Sequence, residues 1–337
     1  MTKKKIFKTI VCVLVVLTVI WNGFLGVALF NDNVRGKVFA EEFDIWVTYV
    51  RVTTANADDI LGDGTVRYDI YNQTLTFENA VIESKNSIIY TAVDLNVNLI
   101  GENKFICTNE ENGVGIYAAD TYIYKDLTFF GDGSLTIELP NRCEEATGIK
   151  ADDLMVNSNI TVITPDCNYI TNGIVCDSSM IVENNAKVTV KTGSATHAMG
   201  VRVRGDLLFE EGTSLNVSVK SGATETCEGL NVIGDLFMEK NTSLDISIDD
   251  EPTLNGECIR VNGLMDIGEG SKVTASAKNA HAIECYSTIK ANEGAVISAT
   301  SDKEDSDIFC SGAIINYGAE INGEIYAVGG ISNIAEN

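Results

Sequence analysis

The chain has 337 residues, with 48 acidic against 24 basic side chains and a formal net charge of −24. A surface this acidic is a poor partner for nucleic acid or for an anionic membrane. Hydrophobic residues make up 45% and prolines number only three, which leaves the backbone free to form a long β ladder over an apolar core.

The first forty residues read as a targeting segment. Lys3, Lys4, Lys5 and Lys8 form a basic start, Ile10 to Ile20 is apolar but for Thr18, and Val38-Phe39-Ala40 before Glu41-Glu42 fits a small-residue cleavage site. An uncleaved anchor is the rival reading, because apolar residues resume through Phe24-Leu25 and Leu29-Phe30, and it would be the chain's one link to a membrane. Either way the rest of the chain is expected outside the cytoplasmic membrane, secreted or at the cell surface. Residues 1–40 hold six Lys/Arg and one acidic residue, a net of +5, so residues 41–337 carry −29.

Residues 41–74 form an entry segment containing Trp46 and the run from Asp58 to Asp69, and are expected to cap the open edge of a repetitive region. From about Leu75 to the end, residues 75–337, the chain repeats itself. A small/apolar doublet recurs as Ile88-Ile89, Gly115-Ile116, Gly148-Ile149, Gly173-Ile174, Gly200-Val201, Gly229-Leu230, Cys258-Ile259, Ala282-Ile283 and Ala313-Ile314, at steps of 27, 33, 25, 27, 29, 29, 24 and 31 residues. Each unit carries three short alternating runs, such as Gly200-Val201-Arg202-Val203, Leu207-Leu208-Phe209 and Leu215-Asn216-Val217-Ser218-Val219. Alternation marks a half-buried strand, which needs stacked neighbours to bury its apolar face. A propeller blade would need about 40–50 residues, and Asn112-Gly113 and Asn172-Gly173 fall at one phase of the repeat instead of between hairpin strands. The expected fold is all-β: a single-stranded, right-handed parallel β-helix of about nine coils of roughly 28 residues.

Three side-chain patterns ride on this repeat. The residue after each doublet points outward and reads Tyr90, Tyr117, Lys150, Val175, Arg202, Asn231, Arg260, Glu284, Ile315, with Tyr122 and Tyr124 on a nearby face. Its tyrosines could stack on sugar rings, and Lys150, Arg202 and Arg260 could hold carboxylated sugars. Stacked aromatics that simply stabilise the sheet are the competing account. In a turn, Glu183, Glu210 and Glu239 share one level, and Glu211 and Glu269 the next. Ca²⁺ is the ion such a ladder would take, although repulsion of about 1 kcal/mol in water requires none; no cofactor is otherwise indicated. The cysteines Cys176 and Cys285 sit at an inward slot four coils apart, and Cys143 and Cys167, six and seven residues ahead of their anchors on neighbouring coils, are the one pair placed to bond. Free thiols are the alternative, and no Cys/His spacing suggests zinc.

The run Ile60-Leu61-Gly62-Asp63-Gly64-Thr65-Val66-Arg67-Tyr68-Asp69, continued by Gln73-Thr74-Leu75-Thr76-Phe77-Glu78-Asn79-Ala80, resembles a signature of secreted β-helix proteins of Gram-positive, clostridial-type bacteria in the carbohydrate-binding-domain group. The phrases Gly115-Ile116-Tyr117-Ala118 and Ser134-Leu135-Thr136-Ile137 resemble the same group. That likeness implies binding of extracellular polysaccharide, with calcium, and its motifs are structural. An enzyme of this fold would need paired carboxylates. The pairs Asp58-Asp59, Asp152-Asp153 and Asp249-Asp250 differ in phase, no Asp cluster matches Arg202 and Arg260, and His197 and His281 fall in turns. The expected function is therefore a secreted, non-catalytic, polysaccharide-binding β-helix at the cell surface. A structural adhesin that binds no glycan and a polysaccharide lyase or hydrolase stay open as alternatives.

Overall fold

The computed structural model describes Thr18 and residues 40–334, apart from 122, 221, 223, 224, 250–254, 279, 280 and 303–306. The targeting reading of residues 1–40 thus lies, save for Thr18 and Ala40, outside the described residues. Among these residues no helix is long and apolar enough to cross a membrane.

One coil shows how the rod is built. Leu207–Phe209 lies on the second sheet, Ser214–Val219 on the third and Thr226–Val232 on the first. Each then pairs in parallel with its counterpart one coil on: Leu207 with Leu236, Leu215 with Leu244, Val203 with Val232 and Val232 with Val261. Like residues therefore stack on like, and the inward positions of all three sheets form one continuous core in which Val203, Val232 and Val261 are fully buried. Each such side chain contributes about 1.5–3 kcal/mol on leaving water. The architecture is the parallel β-solenoid that the periodicity implies.

The doublet has a steric cause. At Gly200-Val201 both residues are buried, while Met199 and Arg202 on either side are only half-buried. Two successive residues turn inward, and the small one meets the neighbouring backbone. A Cβ on Gly200 would lie 2.2 Å from Val217 Cγ1 and 2.5 Å from the Gly229 carbonyl oxygen. Eight doublets sit in register on the first sheet in this way. The ninth does not. Ile314 lies on the second sheet opposite Ile289, and the first-sheet strand there is Ile308–Cys310, with Ile308 opposite Ile283. Asp307 stands where a small residue was expected, and the next first-sheet strand, Ile325–Ala327, comes after a shortened coil.

Residues 41–74 cover two of the three sheet edges. Glu42–Val47 runs antiparallel to Val50–Thr53 and to Ile89–Thr91, and Val66–Asp69 runs antiparallel to Thr74–Glu78. The run from Asp58 to Asp69 is a structural turn: the Asp59 carboxylate accepts the N–H groups of Gly62 and Gly64 at 2.9 and 3.0 Å, and both glycines hold φ of +79°. The third sheet begins uncovered at Val81–Ser84.

A second carboxylate pattern lies where the first sheet hands over to the second. The Asp94 carboxylate accepts the Asp126 N–H at 3.1 Å, Asp126 accepts from Asp153 at 3.2 Å, and Asp153 accepts from Ser179 at 2.7 Å. Further on, Asp206 accepts from Asp235 at 2.8 Å and Asp235 from Leu264 at 2.7 Å. Much of the acidic charge at this corner caps backbone donors of the following coil.

Candidate functional site

The residue after each doublet emerges on the outer face of the first sheet, because the two inward residues reset the alternation. The register runs Trp46, Tyr90, Tyr117, Lys150, Val175, Arg202, Asn231, Arg260, Glu284, Phe309 and Tyr326. Phe309 replaces Ile315 as the member after Glu284; Ile315 is on the second sheet, opposite Lys290. The cap contributes Trp46, which the doublet pattern alone did not reveal.

The amino-terminal half gathers most of the expected residues. Trp46 and Tyr90 rings are 5.1 Å apart, Tyr90 and Tyr117 5.9 Å, and Tyr117 and Tyr124 6.4 Å in an edge contact. Tyr124 reaches this face because Ile123–Tyr124 folds back antiparallel on Asn112–Asp120. Tyr122 lies outside the described residues. The Lys150 ammonium sits 4.8 Å from the Tyr124 ring centre, a cation–π contact. Burial, and then the neighbouring Tyr124, push the Tyr117 hydroxyl above its ordinary pKa. Beyond the rings lies a cleft of about 160 Å³ whose lining includes Tyr124, Thr147, Lys150, Asn172, Arg202 and Arg204. Arg204 is paired with Asp177 at 3.1 Å. Lys150 and Arg202 have no carboxylate partner among the described residues, and the buried Nε of Arg202 has no hydrogen-bond partner. Two strands apart in register, their backbones are about 10 Å from one another.

The carboxyl-terminal half has a different character. Arg260, expected beside the tyrosines, is already engaged. It bonds Glu257 at 3.0 Å and lies 5.1 Å from the Tyr286 ring. Tyr286 donates to Glu284 at 2.9 Å, His281 Nε2 is 3.5 Å from the same carboxylate, and Asn231 donates to Glu228 at 2.8 Å. Burial, followed by repulsion from Glu284, pushes the Glu257 carboxyl up to about 7, against the opposing pull of Arg260. A second aromatic group closes this end: Tyr286 and Phe309 at 6.2 Å, and Phe309 and Tyr326 at 5.9 Å with planes 14° apart. The sequence signal for Phe309 was Cys310, which repeats the inward Cys285 one coil earlier.

The glutamate turn is also in register. The N–H groups of Glu183, Glu210 and Glu239 each bond the carbonyl one coil earlier, at 3.0, 2.9 and 2.9 Å. Desolvation first, then Glu183 and Glu239, raise the Glu210 carboxyl above its usual range. On the next level Lys240 separates Glu211 from Glu269 and holds Glu269 at 2.5 Å, which raises the lysine pKa. The following position needs a left-handed backbone, and is filled by Asn185, Gly212, Asn241 and Gly270 with φ of +58°, +77°, +57° and +67°. Among the described residues no three His, Cys, Asp or Glu side chains converge as a metal site.

No protein-family profile, curated protein or solved structure matches this chain.

Proposed function

We propose that the outer face of the first sheet, from Trp46 to Arg202, binds an extracellular polysaccharide that carries carboxylate groups, without cleaving it. The observation that carries this reading is the cleft in which, among the described residues, Lys150 and Arg202 stand without a carboxylate partner, its one acidic lining residue Asp177 being held by Arg204, in a chain of net charge −24. Arg204 and Arg260, by contrast, are neutralised within the protein by Asp177 and Glu257. A sugar carboxylate fits a guanidinium or ammonium, and the adjoining tyrosine rings offer faces and hydroxyls to sugar rings. Stacked coils repeat these groups along the rod axis, which suits a polymer better than a single sugar. Secretion to the cell surface rests on the leader read in residues 1–40.

Retention on immobilised polygalacturonate and on neutral glucans tests the reading, with absorbance of unsaturated ends followed in parallel. The expected result is retention on the acidic polymer without product release. Tyr117→Ala is expected to weaken retention about fivefold, the equivalent of about 1 kcal/mol for one aromatic contact. Arg202→Ala is expected to weaken binding of acidic glycans alone. Parent-like binding by both variants would remove the site from this face, absence of any retention would favour the adhesin, and released unsaturated product would make the protein a lyase.

A further inference from the structure

We infer that Cys143 and Cys167 are an oxidation site at which a disulfide staples two neighbouring coils of the folded protein. The two residues are register partners on adjacent parallel strands, Cys143–Ala151 and Cys167–Cys176. Their sulfurs lie 3.3 Å apart. Parallel strands place facing Cα atoms about 4.8 Å apart, inside the roughly 4.4–6.8 Å range that a disulfide spans. The pairing also shifts register between Cys143 and Glu145, so the backbone at this point is released from the regular ladder and can absorb the small approach that bonding needs.

Cys143 and Cys167 are themselves buried, at 3% and 4% exposure, and what separates them from the other candidates is their position beside a cleft. Cys143 and Cys167 lie at the corner between the third and first sheets, directly after Arg142 and Asp166, and both of those residues line an open cleft of about 440 Å³ together with Pro140, Thr164 and Pro165. Cys285 and Cys310 are also register partners on neighbouring coils, but both point into the sealed core and are fully buried. Cys107 is a further neighbour of Cys143, and its thiol is aimed at the Asn86 carbonyl at 3.6 Å.

The chemistry is thiol–disulfide exchange with a low-molecular-weight disulfide. One cysteine of the pair, as thiolate, attacks the reagent and releases one small thiolate; the second attacks the resulting mixed disulfide and releases the other. The two protons lost by the cysteines end on the two small thiols, and the reagent disulfide takes both electrons. Burial, with Cys143 alongside, pushes the Cys167 thiol upward, so the exchange is expected to quicken as pH rises.

The test treats reduced, folded protein with oxidised glutathione, then denatures it, alkylates the remaining thiols and maps peptides by mass spectrometry. The expected result is one internal link joining Cys143 to Cys167, absent in Cys143→Ser and in Cys167→Ser and retained in Cys285→Ser. The oxidised parent should melt roughly 5 °C above its reduced form, and the two serine variants should show no such difference. Full alkylation of every cysteine after oxidation, or a link from Cys143 to Cys107, would overturn the inference.

Discussion

Replacing Glu257 by Gln should flatten the pH dependence of stability in a defined window. The Glu257 carboxyl is about 7 in the folded protein, against 4.5 as the ordinary value, because it is buried and faces Glu284 and Glu228 while Arg260 compensates only in part. A raised carboxyl means that the native state holds a proton the unfolded chain has released. Its stabilising contribution is complete below about pH 4.5 and is lost as pH rises through about 7. At about 1.4 kcal/mol per pH unit, and allowing for solvent screening of a half-buried carboxyl that shares its charge with Glu284 and Arg260, the loss for the parent is on the order of 1–3 kcal/mol. Gln keeps an oxygen for Arg260 and carries no proton to lose, so the variant should gain on the parent by that order between about pH 5 and about pH 8. Guanidinium unfolding of both proteins across this range, compared as the difference in midpoint, gives the readout. A pH-independent difference would refute the reasoning, since Glu257 would then titrate alike in the folded and unfolded chains.

The remaining predictions use the same structure. Val203→Asp places a carboxylate at a fully buried core position and should cost several kcal/mol, abolishing the cooperative β-type melt; a folded, soluble variant would overturn the inward register. Chelator is expected to leave the melting temperature unchanged, because Lys240 already neutralises Glu269 beside Glu211. A fall in melting temperature that disappears in Glu211→Gln with Glu239→Gln would instead assign Ca²⁺ to the turn.

How much could be read in advance depends on the physical origin of each pattern. The doublets were legible because a Cβ at Gly148, Gly173 or Gly200 would strike a carbonyl of the next coil, so size is held at one phase while the turns vary in length. The Ile308–Cys310 strand escaped that rule because Asp307 takes the small residue's place. The Cys143–Cys167 pairing was visible from position, and the register shift absorbs the one-residue difference in their distance from the doublets. Tyr90, Tyr117, Lys150 and Arg202 were placed on one face by alternation. The folding back of Tyr124 and the capture of Arg260 by Glu257 depend on side-chain reach, which strand phase does not encode. The aspartate ladder was hidden in an acidic composition, where one more Asp carries little information.

That ladder gives the rod a direction of assembly. In every observed link the carboxylate belongs to the earlier coil and the N–H to the later one. Each finished coil therefore presents acceptors that the next segment of chain can meet as it arrives, whereas a later coil formed alone would have its donors unmatched. At the capped amino-terminal end Trp46 and Val66 are already paired, so a coil that adds there would meet a formed edge. Solenoid coils interact chiefly with their nearest neighbours, so growth from this end would be a succession of small local steps.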